Sequence, residues 1–466
     1  MKPFSIIVAV DSCFGIAKNG LIPWHCREDM LHFKKITVGN IVIMSYSTWN
    51  SIKAKPLSDR INLIISPSGN TVSEVQCFLS LDDALKWCYD NEPTKRAIVI
   101  GGGKLYRHSL QHNLCEEIHL SRISGDYSCD THLELNHVND GSDVCLGEFC
   151  AMFSTKFVIK TQDSHTDWSY TRYTRINPDE QQYLNLIKSI IATGCLKTDR
   201  TSVGTLSTFG NQAVYDLSNN RLPLFTTKKM FWRGVVEELM WMIKGCTDSK
   251  VLEAKGVNIW KGNSTREFLD QRGLYDYEEG DCGKIYGAQW RHYGAQYRGC
   301  HADYTGEGID QLKTAISMIK NDPTSRRILV SAWNPSDLDK MCLPPCHVMM
   351  QFYVDTNNKT LSCMMTQRSC DMGLGVPFNV ASYSLLTILI SHICGLKPGK
   401  FVHNMGDTHV YCNHIDGLQE QLKQTPYPFP TVYISKKSED IDSYSSEDIQ
   451  LINYNHCPPI KLKMAV

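Results

Sequence analysis

Over its first 175 residues the chain alternates short β-branched runs with amphipathic stretches. Phe4–Val10, Asn40–Met44, Arg60–Ser66, Arg96–Ile100, Glu117–Ser124, Thr155–Thr161 and Trp168–Thr174 read as strands, and Glu28–Ile36, Leu81–Asn91 and Lys104–Leu110 as helices. That alternation predicts an α/β unit, a mostly parallel twisted sheet flanked by helices, with ligands at the carboxyl ends of its strands. After Asn177-Pro178-Asp179 the texture changes. A helical run from Glu180 to Thr193 gives way to polar turns, then to longer helices near Val235–Lys244 and Gly308–Lys320. Strands follow near Arg327–Trp333, His347–Val354 and Thr360–Thr366. This half predicts an α+β unit with helices on one side of a sheet. The expected domains are 1–176 and 177–466.

The longest apolar stretch, Val380 to Cys394, contains Ser, Tyr and His, is too short to span a bilayer, and predicts a buried helix. Ser435–Ser446, acidic and Ser-rich, predicts a surface loop. At 466 residues the chain exceeds one ordinary core, in keeping with the change of texture. Its formal net charge of −1 gives no global field to draw nucleic acid or an acidic membrane. Anions must then be met by locally placed Arg and Lys. Met1-Lys2-Pro3-Phe4 enters the first strand without an apolar signal region, so a cytoplasmic protein is expected. The 19 cysteines are scattered with no C-x-x-C pair, which suits reduced thiols better than disulfides or structural zinc. His403, His409 and His414 match no common ligand spacing, and no metal is expected.

Candidate chemistry is concentrated in a few places. Leu343-Pro344-Pro345-Cys346-His347 sets a thiol at a rigid turn, and Gln367-Arg368-Ser369-Cys370-Asp371 offers a guanidinium able to hold an anion and to favour a thiolate. Asp199-Arg200-Thr201 and Ser325-Arg326-Arg327 add three more arginines, enough for a phosphate clamp. In the first half, Asp29 shares a helix face with Phe33, and a carboxylate there calls for a partner such as the amidine-like edge of a pterin. Gly101-Gly102-Gly103 follows a buried strand and opens a helix, where bare backbone N–H groups can approach a pyrophosphate.

Gly15-Ile16-Ala17-Lys18-Asn19-Gly20, Ile22-Pro23-Trp24, Asp29 with Phe33, Thr48-Trp49, Pro56-Leu57 with Arg60, the glycine triplet and Asp130-Thr131 stand in the order and spacing of dihydrofolate reductase. The first 175 residues resemble that family. The resemblance implies that Asp29 orients dihydropterin and promotes its N5 protonation. It implies a folate pocket of Val8, Ala9, Met30 and Phe33, with Arg60 on the glutamate α-carboxylate. NADPH would be met by Ile16, Trp24, Thr48, Ser66, Gly101, Gly102, Gly103 and Ser121. Four positions depart from the family: Ser45-Tyr46 replaces Gly-Arg, Ala17 a loop glycine, and Ser121 a threonine. The first departure predicts a weakened preference for NADPH over NADH unless Ser66, Ser68, Lys53 or Lys55 supplies the grip.

The second half resembles thymidylate synthase. The matching stretches include Pro223-Leu224-Phe225-Thr226-Thr227-Lys228, Glu237-Glu238-Leu239-Met240-Trp241 and Ile285-Tyr286-Gly287-Ala288-Gln289-Trp290-Arg291. Pro345-Cys346-His347, Gly375-Val376-Pro377-Phe378-Asn379 and Gly406-Asp407-Thr408-His409-Val410-Tyr411 continue the match. By that resemblance Cys346 attacks dUMP, and Glu238 organises proton transfers assisted by Tyr286 and His347. Arg200, Arg368 and Ser369 would hold the phosphate with Arg326 and Arg327 from a partner subunit, making a homodimer. Asn379 would select uracil, Asp371 would lie against the pterin beside dUMP, and His409 with Tyr411 would take the deoxyribose hydroxyl. Trp260 and Val466 would close over 5,10-methylenetetrahydrofolate. Both resemblances together imply a bifunctional enzyme that makes dTMP and recycles its dihydrofolate product with NADPH. The alternative is a working synthase whose reductase-like half only binds ligand or scaffolds the dimer.

Overall fold

Eight strands of the first unit, Met1–Ile176, form one sheet in the order Gln76–Phe78, Ile61–Ile65, Ile41–Ser45, Ala97–Gly101, Phe4–Val10, Cys115–Ile123, Trp168–Arg175, Phe157–Ser164. The structure is a computed structural model describing residues 1–133, 155–198 and 203–464. Neighbouring strands run parallel from Gln76–Phe78 as far as Cys115–Ile123, and the last two pairings are antiparallel. Strands buried on both faces read as continuous apolar runs. In Ile41–Ser45, Ile41 and Ile43 enter one core beside Ile6, Val8 and Val99, while Val42 and Met44 enter another with Trp49 and Ile64. The helices Arg27–Thr37, Leu81–Asn91 and Gly103–Gln111 cover the sheet. The α/β unit of the sequence pattern is the one observed. The pattern overlooks the short helix Tyr46–Ser51, whose residues lack apolar spacing and which is started by its N-cap Ser45.

The second unit, Asn177–Val466, is built on six strands in the order Cys195–Lys197, Thr205–Asp216, Lys397–Tyr411, Thr360–Asp371, His347–Asp355, Leu329–Ser331. All pairs are antiparallel except the parallel pair Thr360–Asp371 and Lys397–Tyr411. The helix Gly375–Ile393 packs on one face. It is long and apolar enough to cross a membrane, but 83% of its apolar window is buried inside the protein, so it is a core helix. The opposite face stays open, with Phe209 84%, Leu196 69% and Tyr353 67% exposed. Ser435–Ser446 lies at the surface, as expected, but is anchored there. Ile441 and Tyr444 are buried, and Asp442 is paired with Arg291 and Lys313. An acidic, Ser-rich composition conceals those anchors because they are spaced singly.

Candidate active sites

In the first unit Asp29 projects from the helix Arg27–Thr37 and is buried. Burial pushes its carboxyl above the usual range, while a hydrogen bond from Ser121 and the neighbouring His32 pull the other way. Ser121 lies on the strand Cys115–Ile123 opposite Ala9, with Val8 next in register. Ala9, Asp29 and Ser121 thereby gather where the helix meets the sheet, while Val8, on the alternate phase of its strand, packs into the core with Ile6 and Val10. Met30 is exposed and Phe33 half-buried. Arg60 lies over the Phe33 ring at 5.9 Å and donates to Thr37 Oγ1 at 3.0 Å and Ser58 O at 2.8 Å. Its guanidinium is therefore fixed beside this helix.

The glycine triplet joins the strand Ala97–Gly101 to the helix Gly103–Gln111. A Cβ on Gly102 would stand 3.0 Å from Thr48 Oγ1, and one on Gly101, whose φ is +141°, 3.1 Å from the same atom. Gly102 N donates to Ser45 Oγ at 3.1 Å, and that hydroxyl also accepts from Thr48 N at 3.3 Å. Ser45 thus ties the triplet to the helix Tyr46–Ser51. Ile16 is buried nearby, 3.5 Å from a Cβ placed on Gly103. Trp24 packs against Tyr127 at 5.5 Å. Ser66, just past the strand Ile61–Ile65, is buried with a hydroxyl that meets no hydrogen-bond partner among the described residues. Side-chain-free backbone at a helix N-terminus and an unsatisfied hydroxyl suit a phosphate-bearing dinucleotide.

In the second unit Cys346 ends a turn held from two sides. Its N–H donates to the Tyr286 hydroxyl at 2.8 Å. Arg368 donates to Pro345 O at 2.9 Å and Pro344 O at 3.0 Å, and its own N–H reaches Cys346 O at 2.8 Å. The Arg368 guanidinium is thus fixed by the carbonyls of the Pro-Pro turn that carries the thiol. Tyr286 stacks on His347 at 4.0 Å, and His347 Nδ1 lies 2.6 Å from the Tyr383 hydroxyl. Burial, then the nearby His403, drive the His347 pKa down to about 3, so this ring is neutral at physiological pH. Burial pushes the Tyr286 hydroxyl well up. Glu238, on the helix Trp232–Ile243, is raised by burial to about 7 and accepts the Trp260 Nε1–H at 2.8 Å. A carboxyl that titrates near neutrality suits proton transfer.

Asn379 sits in the first turns of Gly375–Ile393, and its Oδ1 accepts from Gln367 Nε2 at 3.0 Å. Gln367 Nε2 also reaches Ser369 O at 2.9 Å, and Gln367 Oε1 lies 2.9 Å from His403 Nε2. Burial lowers the His403 pKa to about 3, so its ring donates as a neutral imidazole. The chain His403–Gln367–Asn379 therefore sets which end of the Asn379 amide is carbonyl. Asp371 accepts from Gly373 N at 2.8 Å and Leu374 N at 3.2 Å. Burial pushes its carboxyl upward, yet the turn N–H groups and His414 hold it below the usual range. His409 Nδ1 lies 3.1 Å from Asp407 Oδ1, with Tyr411 edge-on at 5.3 Å. Arg326 and Arg327 are exposed before the edge strand Leu329–Ser331, and neither guanidinium forms an ion pair among the described residues. Arg200 and Val466 lie outside the described residues.

Gln367 and His403 carry an orienting role that the sequence reading did not assign. Their signal was available: both occupy the buried phase of their strands, between Met365 and Cys370 and between Phe401 and Met405. A polar group in that phase requires a partner.

Comparison with known proteins identifies both halves. The Dihydrofolate reductase family pattern matches residues 3–140, and the Thymidylate synthase pattern matches residues 181–466. The bifunctional dihydrofolate reductase-thymidylate synthase of Paramecium tetraurelia is 44% identical, over 100% of this chain and 99% of its own length. The protein so named in Zea mays is 44% identical over 100% and 97%, and that of Leishmania major 41% over 100% and 96%. With both patterns in one polypeptide and relatives aligned end to end, the chain belongs to the bifunctional dihydrofolate reductase–thymidylate synthase family.

Proposed function

We propose that the two units run consecutive steps: the second converts dUMP to dTMP with 5,10-methylenetetrahydrofolate, and the first reduces the dihydrofolate released. Cys346 adds as thiolate to C6 of dUMP, and the electron pair delivered to C5 attacks the folate methylene. C5 then gives up its proton, and the methylene–N5 bond breaks to leave an exocyclic methylene on C5. Hydride from the freed tetrahydrofolate completes the methyl group as the Cys346 thiolate leaves C6, giving dTMP and dihydrofolate. Arg368, with Arg200 and Ser369, holds the phosphate. Glu238 moves protons through water, Tyr286 and neutral His347 supply hydrogen bonds, and His409 with Tyr411 takes the sugar hydroxyl. Asn379, oriented by Gln367, accepts from N3–H and donates to O4, a pattern that cytosine cannot meet. Asp371, Trp260 and Val466 bound the folate.

In the first unit NADPH, when bound, supplies the hydride. Asp29 orients the pterin and supports protonation of N5; Val8, Ala9, Met30 and Phe33 shape the pocket, and Arg60 takes the glutamate carboxylate. Ile16, Trp24, Thr48, the glycine triplet and Ser121 hold the cofactor, and the unsatisfied Ser66 hydroxyl reaches the 2′-phosphate in place of the family's arginine. Neither reaction draws on a metal. The exposed apolar sheet face supports a two-fold dimer through the synthase unit, with Arg326 and Arg327 completing the partner's phosphate site. The protein works in the cytoplasm.

The observation carrying this reading is the Cys346 turn clamped by Tyr286 and Arg368. Trapping with 5-fluoro-dUMP and methylenetetrahydrofolate should leave a covalent adduct on the peptide containing Cys346. An unmodified peptide in folded protein would remove the mechanism. No observation favours a reductase half without turnover.

A further inference from the structure

We propose that Asp248, Cys300, His301 and Glu278 form a binding site for one divalent cation of the zinc class. Ligand atoms of Asp248, Cys300 and His301 lie within 4.8 Å of one another. Glu278 Oε1 is 3.0 Å from His301 Nε2 and 3.5 Å from Cys300 Sγ, in place to be the fourth donor. Tetrahedral ligand atoms stand roughly 3.5 Å apart around zinc. The remaining closure is small, and His301, 66% exposed, is free to make it by rotation.

Two further observations point to a cation. First, the backbone of the site is built in advance. Asp248 Oδ1 caps the helix Ser249–Ala254 by accepting from Lys250 N at 2.8 Å. Buried Asp281 accepts from Cys300 N at 3.2 Å, Gly283 N at 2.8 Å and the Tyr297 hydroxyl at 2.5 Å, which holds the Cys300 loop against the Asp248 turn. Second, the charge is uncompensated. Asp248, Glu278 and Asp281 converge on the thiol, and among the described residues no lysine or arginine pairs with any of the three. A bound cation would neutralise these carboxylates and take the sulfur as thiolate. A mixed sulfur, nitrogen and oxygen set selects zinc-like ions over magnesium or calcium, which take oxygen. Donors at 248, 278 and 300–301 meet only in three dimensions, which is why ligand spacing along the sequence gave no metal expectation.

Cobalt(II) reads this site directly. Full-length protein stripped with a chelator and titrated with cobalt(II) should develop sulfur-to-cobalt charge-transfer absorption that saturates at one ion per chain and is bleached by zinc but not magnesium. Cys300→Ser should abolish the charge-transfer band, and His301→Ala should weaken binding at least tenfold. Cys346→Ser should leave the band intact, which excludes the catalytic thiol as ligand. Cys300→Ser should also retain tritium release from C5-labelled dUMP at the level of metal-stripped wild type, reporting an intact fold. If Cys300→Ser does not fold, His301→Ala and Glu278→Gln decide through cobalt affinity alone. A titration with no saturation at one ion, a band surviving Cys300→Ser, or unchanged affinity in both His301→Ala and Glu278→Gln overturns the proposal.

Discussion

The two units place their reactive groups differently. In the synthase unit each is held by another protein group: Cys346 by Tyr286 and Arg368, Asn379 by Gln367 and His403, Glu238 by Trp260. In the reductase unit the candidate proton-handling carboxyl, Asp29, takes a hydrogen bond from Ser121 but stands beside residues that remain open, such as Met30 at 54% exposure. The contrast follows the chemistry. A covalent sequence makes and breaks several bonds at one ring, so its nucleophile, proton carrier and base-reading amide must hold position through every step. Hydride transfer between two bound ring systems asks mainly for a shaped cleft and a route for one proton.

Removing the most tightly held group tests this contrast hardest. Cys346→Ser should reduce tritium release from C5-labelled dUMP by roughly 10⁴-fold or more. NADPH oxidation with added dihydrofolate should be unchanged in the same preparation. Asp29→Asn should lower that oxidation by roughly 10²- to 10³-fold while dTMP formation proceeds. A reductase rate independent of Asp29 would reduce the first unit to a scaffold and end the comparison. Asn379→Asp should cost roughly 10²-fold in kcat/KM for dUMP and improve the relative use of dCMP, measured by competition between the two nucleotides. Gln367→Leu should cost roughly tenfold for dUMP by leaving the amide free to flip. Equal rates in Gln367→Leu and wild type would show that Asn379 needs no orienting partner.

Local pattern and long-range assembly were unequally legible. Phe4–Val10 and Leu81–Asn91 are read to the residue, because a buried parallel strand and a capped amphipathic helix write their periods locally. The strands Thr205–Asp216 and Lys397–Tyr411 were missed. Both carry many polar residues on an open face, and glycine, asparagine and lysine dilute their alternation. At the sites, motif spacing picked out Cys346, Arg368 and Asn379 as candidates. It did not assign Gln367 and His403, which act only through the pairing of distant strands. The Ser66 hydroxyl makes the same point: nothing in its neighbours along the chain says that it is buried without a partner among the described residues.

The smallest effect concerns what burial of Glu238 does to stability. Its carboxyl titrates near 7 in the folded state against an ordinary 4.5, chiefly because burial disfavours the charge. The folded protein therefore holds this proton more tightly than the unfolded chain does. The corresponding stability is fully present below about 4.5 and is lost as pH rises through 7, on the order of 3 kcal/mol in all. Glu238→Gln keeps an oxygen for the Trp260 donor and removes the titration. Urea midpoints of wild type and variant, compared at pH 5 and pH 8, should show the wild type losing more stability than the variant on going to the higher pH. Asp29→Asn should show the same sign at lower pH, because burial raises Asp29 against opposing hydrogen-bond and charge effects from Ser121 and His32. If the two variants kept the wild-type dependence, neither carboxyl would carry the cost of burial. The difference between the held site and the open one would then rest on geometry alone.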